Sequence, residues 1–301
     1  FLDRGYQAEK EYLRLFPNLN ASYNVRDNLI ARASYYLSVG RPDFNQYMNG
    51  LTLPDTDLPV TTATRISVNN VGIKAWSAKT IKVRFEYYFD RVGQVSLGAF
   101  QRDFKNFFGS VVFPATPEFL ELYDLDPTVY GRYDVSTNFN LRTTVRMTGL
   151  EFDYKQALTF LPPWARGVQV FANASAQRAT GDGADNFSGY IPRSGSWGIS
   201  LSRPKFNVKL NWNYRGRQRR GVVTGRSIEP GTYNWGSKRL FRDIYADYAL
   251  RKNIGVFASL RNVGDATEDF EIAGPSTPPH AQFRQRQDYG SACILGLKGR
   301  F

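Results

Sequence analysis

The sequence predicts an all-β chain: a membrane-spanning, antiparallel up-and-down β-barrel of which about eleven strands are present. Three observations predict it. Long segments alternate strictly between apolar and polar residues, no apolar run approaches the roughly 18 residues of a membrane helix, and short and long connections alternate down the chain.

The clearest segment is KFNVKLNWNYRG. Phe206, Val208, Leu210, Trp212 and Tyr214 take the even positions, and Lys205, Asn207, Lys209, Asn211 and Asn213 the odd ones. Strand side chains alternate faces with period two, so this is a strand with one apolar and one wet face. TIKVRFEYYFD sets Ile81, Val83, Phe85, Tyr87 and Phe89 against Lys82, Arg84 and Glu86, and TGLEFDYKQAL sets Leu150, Phe152 and Tyr154 against Glu151, Asp153 and Lys155. Near the start, Leu15 to Val25 alternate with Phe16 to Asn24; at the end Cys293, Leu295, Leu297 and Phe301 share a face.

Strands are expected near 11–25, 28–39, 78–89, 93–107, 143–159, 167–179, 194–202, 205–215, 240–250, 253–263 and 288–301. VRDN, FDRVG, FLPPWARG, SRPK and LRKN join them on one side; long polar stretches near 40–77, 108–142, 180–193, 216–239 and 264–287 join them on the other. Such sorting of turns and loops belongs to outer-membrane barrels. In hydrocarbon every backbone donor and acceptor pairs internally, so helices or closed barrels are the only spanning structures. Polar residues on the wet face suit a hydrated lumen, and Tyr87, Trp164, Trp212 and Tyr248 fit interfacial girdles.

The chain has 301 residues, a formal net charge of +12, and a single Cys and a single His. One cysteine excludes an intrachain disulfide framework. His280, within STPPHAQ, reads as a loop residue rather than a ligand, because metal sites need several. No signal peptide is recognisable at FLDRGYQAEK, and the abrupt opening suggests a piece of a longer chain. An odd strand count points the same way, since bacterial barrels are generally even-numbered and an open sheet leaves bare edges in lipid.

YLRLFPNLNASYNVRDNLIARASYYLSVGRPDF resembles the stretch of TonB-dependent outer-membrane receptors in which a P-x-L-N-x-x-Y strand, a tight turn and an R-x-S-Y strand lead to an Arg-Pro loop. TGLEFDYKQALTFLP, SLRNVGDAT and the terminal GLKGRF resemble later strands of that family. The resemblance implies that residues 1–301 form the C-terminal part of a barrel of about 22 strands, with the plug domain and N-terminal strands absent. It implies an energised, non-enzymatic importer of a scarce ligand such as a ferric siderophore, cobalamin or an oligosaccharide. Its implied partners are the TonB complex acting through the plug, outer-membrane lipid and lipopolysaccharide, and the barrel-assembly machinery. The C-terminus is then periplasmic, and the assembly signal is Leu295, Leu297 and Phe301; Gly299 departs from the family, which carries an aromatic there. A passive porin with a cation-lined lumen and a soluble carbohydrate-binding β protein are the alternatives.

Candidate ligand contacts lie in the long loops. NYRGRQRRGVVTGRS concentrates Arg215, Arg217, Arg219, Arg220 and Arg226. Guanidinium groups suit an anionic or carboxylate-bearing ligand, but a charge run is equally a solvated face or a loop folded on its neighbours; nucleic acid is not expected as a partner. Trp235 in the same loop joins the candidates, as do Arg41 and Asp43 in GRPDF, which read otherwise as a strand cap. TGDGADNFSG lacks the spacing of a calcium loop, so no metal or other cofactor is expected. PEFLELYDLDPT reads as a short acidic helix. Cys293 and His280 form no catalytic pair, and Lys155 with nearby cations accounts for Glu151 and Asp153, so no catalytic residue is assigned.

Overall fold

A computed structural model describes residues 15–299 apart from 49, 62–63, 90–91, 188 and 226. Numbered in chain order, eleven of its strands form one antiparallel sheet: β1 (Asn18–Arg26), β2 (Leu29–Gly40), β5 (Trp76–Tyr88), β6 (Gly93–Lys105), β9 (Val145–Ala157), β10 (Val168–Thr180), β11 (Arg193–Ser202), β12 (Phe206–Arg215), β15 (Arg239–Arg251), β16 (Ile254–Arg261) and β19 (Ala292–Gly299). Each pairs with its neighbour in this order, and the sheet is open between β1 and β19. Every expected strand is present, with its ends shifted by a few residues. Phe301, Arg226 and residues 11–14 lie outside the described residues.

The alternating pattern sorts by face. Ile81, Val83, Phe85, Leu97 and Leu150 point outward and stay exposed, as do Leu295 and Leu297 at the end of the sheet. A row of aromatics closes this band at the tight-turn end, where Phe89 packs edge-on against both Tyr87 (5.5 Å) and Tyr154 (6.2 Å). Exposed apolar rows on one face are a liability in water and the required surface in a bilayer.

The opposite face carries an ion-pair ladder. Arg32 Nε donates to Glu86 Oε2 at 3.0 Å, Arg84 Nη2 to Asp153 Oδ2 at 3.1 Å, and Lys82 Nζ to Glu151 Oε2 at 2.5 Å. Glu151 and Asp153 are thereby held by cations of β5, across the intervening β6, rather than by Lys155 of their own strand.

The long connections are more than polar loops. They contain eight further strands in two small sheets: β3 (Leu51–Thr52), β4 (Arg65–Val68), β8 (Asp134–Asn140) and β7 (Phe108–Pro114), and β13 (Gln218–Val222), β14 (Tyr233–Gly236), β17 (Thr267–Ala273) and β18 (Phe283–Asp288). Residue 288 therefore ends a loop strand rather than opening the last wall strand. The acidic segment forms two short helices, α1 (Pro117–Leu122) and α2 (Pro127–Tyr130). Each begins with proline after a capping residue: Thr116 Oγ1 accepts from Phe119 N–H at 3.3 Å, and Asp126 Oδ1 from Thr128 N–H at 2.8 Å, which satisfies orphan amides of the first turn.

The buried apolar clusters sit at this end. Ile66, Val68 and Val135 of the first small sheet pack with Phe119, Leu120 and Tyr133. Ala78, Phe104, Val145 and Met147, at the loop-side ends of wall strands, pack with Leu141, Ala184 and Phe187. A wall with hydrocarbon on one side and water on the other has no dry interior, so folded loops supply the core.

Candidate functional site in the loop sheets

The arginine-rich stretch leaves β12 and becomes β13, and each of its side chains is held by a carboxylate and an aromatic ring. Arg217 Nη2 donates to Glu271 Oε2 at 2.6 Å and its guanidinium lies 4.2 Å from the Trp235 ring. Arg219 donates to Asp185 Oδ1 at 3.1 Å and to the Ala184 carbonyl at 2.6 Å, with its guanidinium 4.6 Å from the Tyr233 ring. Arg220 donates to Glu268 Oε1 at 2.7 Å and stacks 4.4 Å from Phe270. Planar guanidinium groups favour this combination of aromatic face and carboxylate.

Glu268 is the hub. Only 1% of it is exposed, yet it accepts from Arg215, from Arg220, from Arg239 Nη1 at 3.1 Å and from the Tyr289 hydroxyl at 3.0 Å. A carboxylate buried this deeply requires such charged donors. Arg215 and Arg239 end wall strands, whereas Arg220 and Glu268 belong to the small sheet. The hub thus ties the loop sheet to the wall.

Five guanidinium groups (Arg215, Arg217, Arg219, Arg220 and Arg239) share three carboxylates (Asp185, Glu268 and Glu271). The cluster keeps a surplus of two positive charges. Beside it a cleft of about 690 Å³ opens between the two small sheets, lined by Arg65, Val223, Asn234, Ile272, Gln282 and Arg284. Arg65 donates through Nη2 to the Thr224 carbonyl, while its buried Nε has no partner among the described residues. Arg284 is exposed and lacks a carboxylate partner among the described residues. Convergent donors on a polar cleft suit an anionic ligand.

Among the residues singled out from sequence, Arg217, Arg219, Arg220 and Trp235 come together in the second small sheet. Arg41 and Asp43 lie apart, just past β2; both are exposed, and the Asp43 carbonyl accepts from Gln46 N–H at 3.0 Å to open a 3-10 turn over Phe44–Tyr47. Leu295 and Leu297 project from the outer face of β19. Sequence reasoning missed Arg65, Asn234, Gln282, Arg284 and the Glu268 hub. FRQRQD does alternate with period two, but RISV and YNWG are too short to register as strands.

Burial of Tyr233, the ring under Arg219, raises its hydroxyl pKa. Below it in the same sheet, Arg286 forms a two-point pair with Asp269, at 2.7 and 2.9 Å. Hydrogen bonding by that guanidinium holds the carboxyl below the usual aspartate range, against the opposing effect of partial burial.

A family model described as "TonB dependent receptor-like, beta-barrel" matches residues 3–263. No curated protein matches the sequence. Among solved structures, a mutant ferric enterobactin receptor of Pseudomonas aeruginosa is similar with a TM-score of 0.64 at 16% identity, over 95% of this chain and 40% of that one. The siderophore receptor PirA of the same organism gives 0.59 at 14%, over 95% and 42%. The copper transporter OprC gives 0.58 at 12%, over 94% and 39%. The chain therefore spans about two fifths of the length of each structure it matches.

Proposed function

The chain belongs to the TonB-dependent receptor-like β-barrel family, and from that premise we propose that the full-length protein is an outer-membrane importer driven by the TonB complex. Residues 1–301 supply the C-terminal barrel wall and the ligand-facing loops, with the long connections outside the cell and the C-terminus in the periplasm. The ligand is a scarce anionic chelate of the ferric-siderophore class, a class supported by the receptors similar to this chain. TonB pulls on a plug contributed by another part of the protein, and the barrel-assembly machinery reads the last strand through Leu295, Leu297 and Phe301.

One observation carries the ligand class: two surplus positive charges flank a polar cleft that presents Arg65 and Arg284. Arg217, Arg219 and Arg220 act there mainly by fixing the shape and potential of the rim, because each is already bound to a carboxylate. Arg41 and Asp43 would meet the ligand only along the path from β2, a smaller contribution.

The test is uptake of radiolabelled iron from a panel of anionic siderophores, in a strain lacking the gene and complemented with the full-length protein. Uptake should require TonB and fall when Arg65 and Arg284 are both changed to Gln. Uptake that persists without TonB identifies a passive pore instead. Uptake untouched by the double change moves the ligand site elsewhere.

A further inference from the structure

The second small sheet repeats the strand order of the wall it grows from. β12 runs into β13 through residues 216–217, β14 into β15 through 237–238, β16 into β17 through 262–266, and β18 into β19 through 289–291. The wall order β12-β15-β16-β19 is therefore followed on the loop side by β13-β14-β17-β18. β19 ends the wall sheet and β18 ends the small sheet, on the same side. Exposure marks both. Every residue of β18 is exposed, as is every residue of β1, and all of β19 except Gly296. No other strand is exposed along its whole length among the described residues.

The main chain of β18 turns outward at a defined residue. Ser237 N–H donates to the Asp269 carbonyl at 2.8 Å, and Asp269 N–H donates to Ser237 Oγ at 2.9 Å. The main chain of Asp269 on β17 is thus turned toward β14. Its partner across the β17–β18 pair is Arg286. Directly opposite residues of an antiparallel pair exchange both their hydrogen bonds or neither. Asp269 uses both groups on its other side, so the N–H and C=O of Arg286 point away from β17 to the sheet edge. Nothing among the described residues meets them there. An edge of unpaired donors and acceptors is a template for another strand.

Barrel closure supplies that strand. A sheet that closes pairs its last strand with its first, and this chain spans only about two fifths of the structures it matches. The first barrel strand, N-terminal to residue 1, runs antiparallel to β19 and so rises toward the long-loop end, where β18 prolongs the edge of β19. We propose that this strand of the full-length protein continues past the membrane border and adds to β18. The second small sheet then has five strands, and the seam of the barrel extends beyond the bilayer. Phe283 and Arg284 of β18 also line the cleft between the small sheets, so the added strand and the loop it carries border that cleft. Strand addition engages the backbone edge and leaves the side chains of β18 on the faces of the sheet. The proposal rests on the barrel fold and is independent of which ligand is imported.

Residue-resolved hydrogen exchange on the detergent-solubilised full-length protein tests it. The Arg286 amide should exchange about 100-fold or more slower than an unpaired amide; exchange at the unpaired rate overturns the proposal. The covering segment is identified by placing the photo-cross-linker p-benzoylphenylalanine at Phe283, a replacement close in shape to the native ring, and sequencing the cross-linked peptide. A heat-shift gel verifies that this variant is folded. The cross-link should fall in the first barrel strand, N-terminal to residue 1. A cross-link within residues 1–301, one to a second copy of the chain, or none at all would each overturn it. Iron uptake measured in parallel reports separately on the importer reading.

Discussion

Phe171 on β10 stands directly opposite Gly198 on β11, and its ring occupies the space a side chain at 198 would need. A Cβ there would meet the ring at 2.5 Å and the Leu210 carbonyl oxygen at 2.6 Å. The pairing recurs as Phe100 over Gly149 and Phe257 over Gly296, always on the lumenal face. An aromatic ring laid across a glycine shields backbone that has no side chain of its own and pins the register. Gly198→Val is expected to destabilise the barrel by about 1–3 kcal/mol through overpacking, seen as a lower midpoint in heat-shift gels of the full-length protein. An unchanged midpoint would show that the ring moves aside freely.

Leu150→Arg separates a membrane wall from a soluble sheet. Leu150 is already exposed, so in water the change should stay within about 0.5 kcal/mol. Facing hydrocarbon, it should cost about 2–4 kcal/mol. Urea titration of folding into lipid vesicles reads the difference.

Replacing Glu268 with Gln removes the negative charge shared by three arginines and turns one acceptor oxygen into a donor facing them. Breaking a buried charge cluster costs about 3–5 kcal/mol, and here the cost falls on the seam between loop sheet and wall. Trypsin should then cut at Arg217, Arg219 and Arg220 much faster, while the heat shift of the barrel is retained. Equal cleavage rates would remove Glu268 from its place as the hub.

The Asp269–Arg286 pair gives the second small sheet an acid sensitivity. The folded carboxyl has a lowered pKa, chiefly through hydrogen bonding by Arg286. Its contribution is therefore fully present above the ordinary aspartate value of about 4 and is lost as pH falls through the lowered folded value. Amide exchange in β17 and β18, corrected for its intrinsic pH dependence, should accelerate across that acidic window, and R286Q should abolish the pH dependence.

The wall was legible in the sequence because a bilayer and a water-filled lumen impose opposite demands on successive residues, and stretches such as Phe206–Arg215 answer them over ten positions. The loops follow no such rule. Strands of four residues, as in Arg65–Val68 and Tyr233–Gly236, offer too few alternations to read, and their partners lie far along the chain. The arginine run was visible as composition, but its carboxylates, Asp185, Glu268 and Glu271, are 34 to 54 positions away from their partners, so pairing could not be separated from ligand capture.

The parallel contact between β4 and β8 imposes a timetable on assembly. Arg65–Val68 pairs with Asp134–Thr137, and the chain between them must first lay down β5, β6 and β7. Their roof can close only after that hairpin has been built and the chain has returned. Until then Ile66 and Val68, fully covered at the end, stand bare to solvent. A chain halted at that stage would offer proteases an apolar handle that the finished protein conceals, a built-in mark of incompleteness.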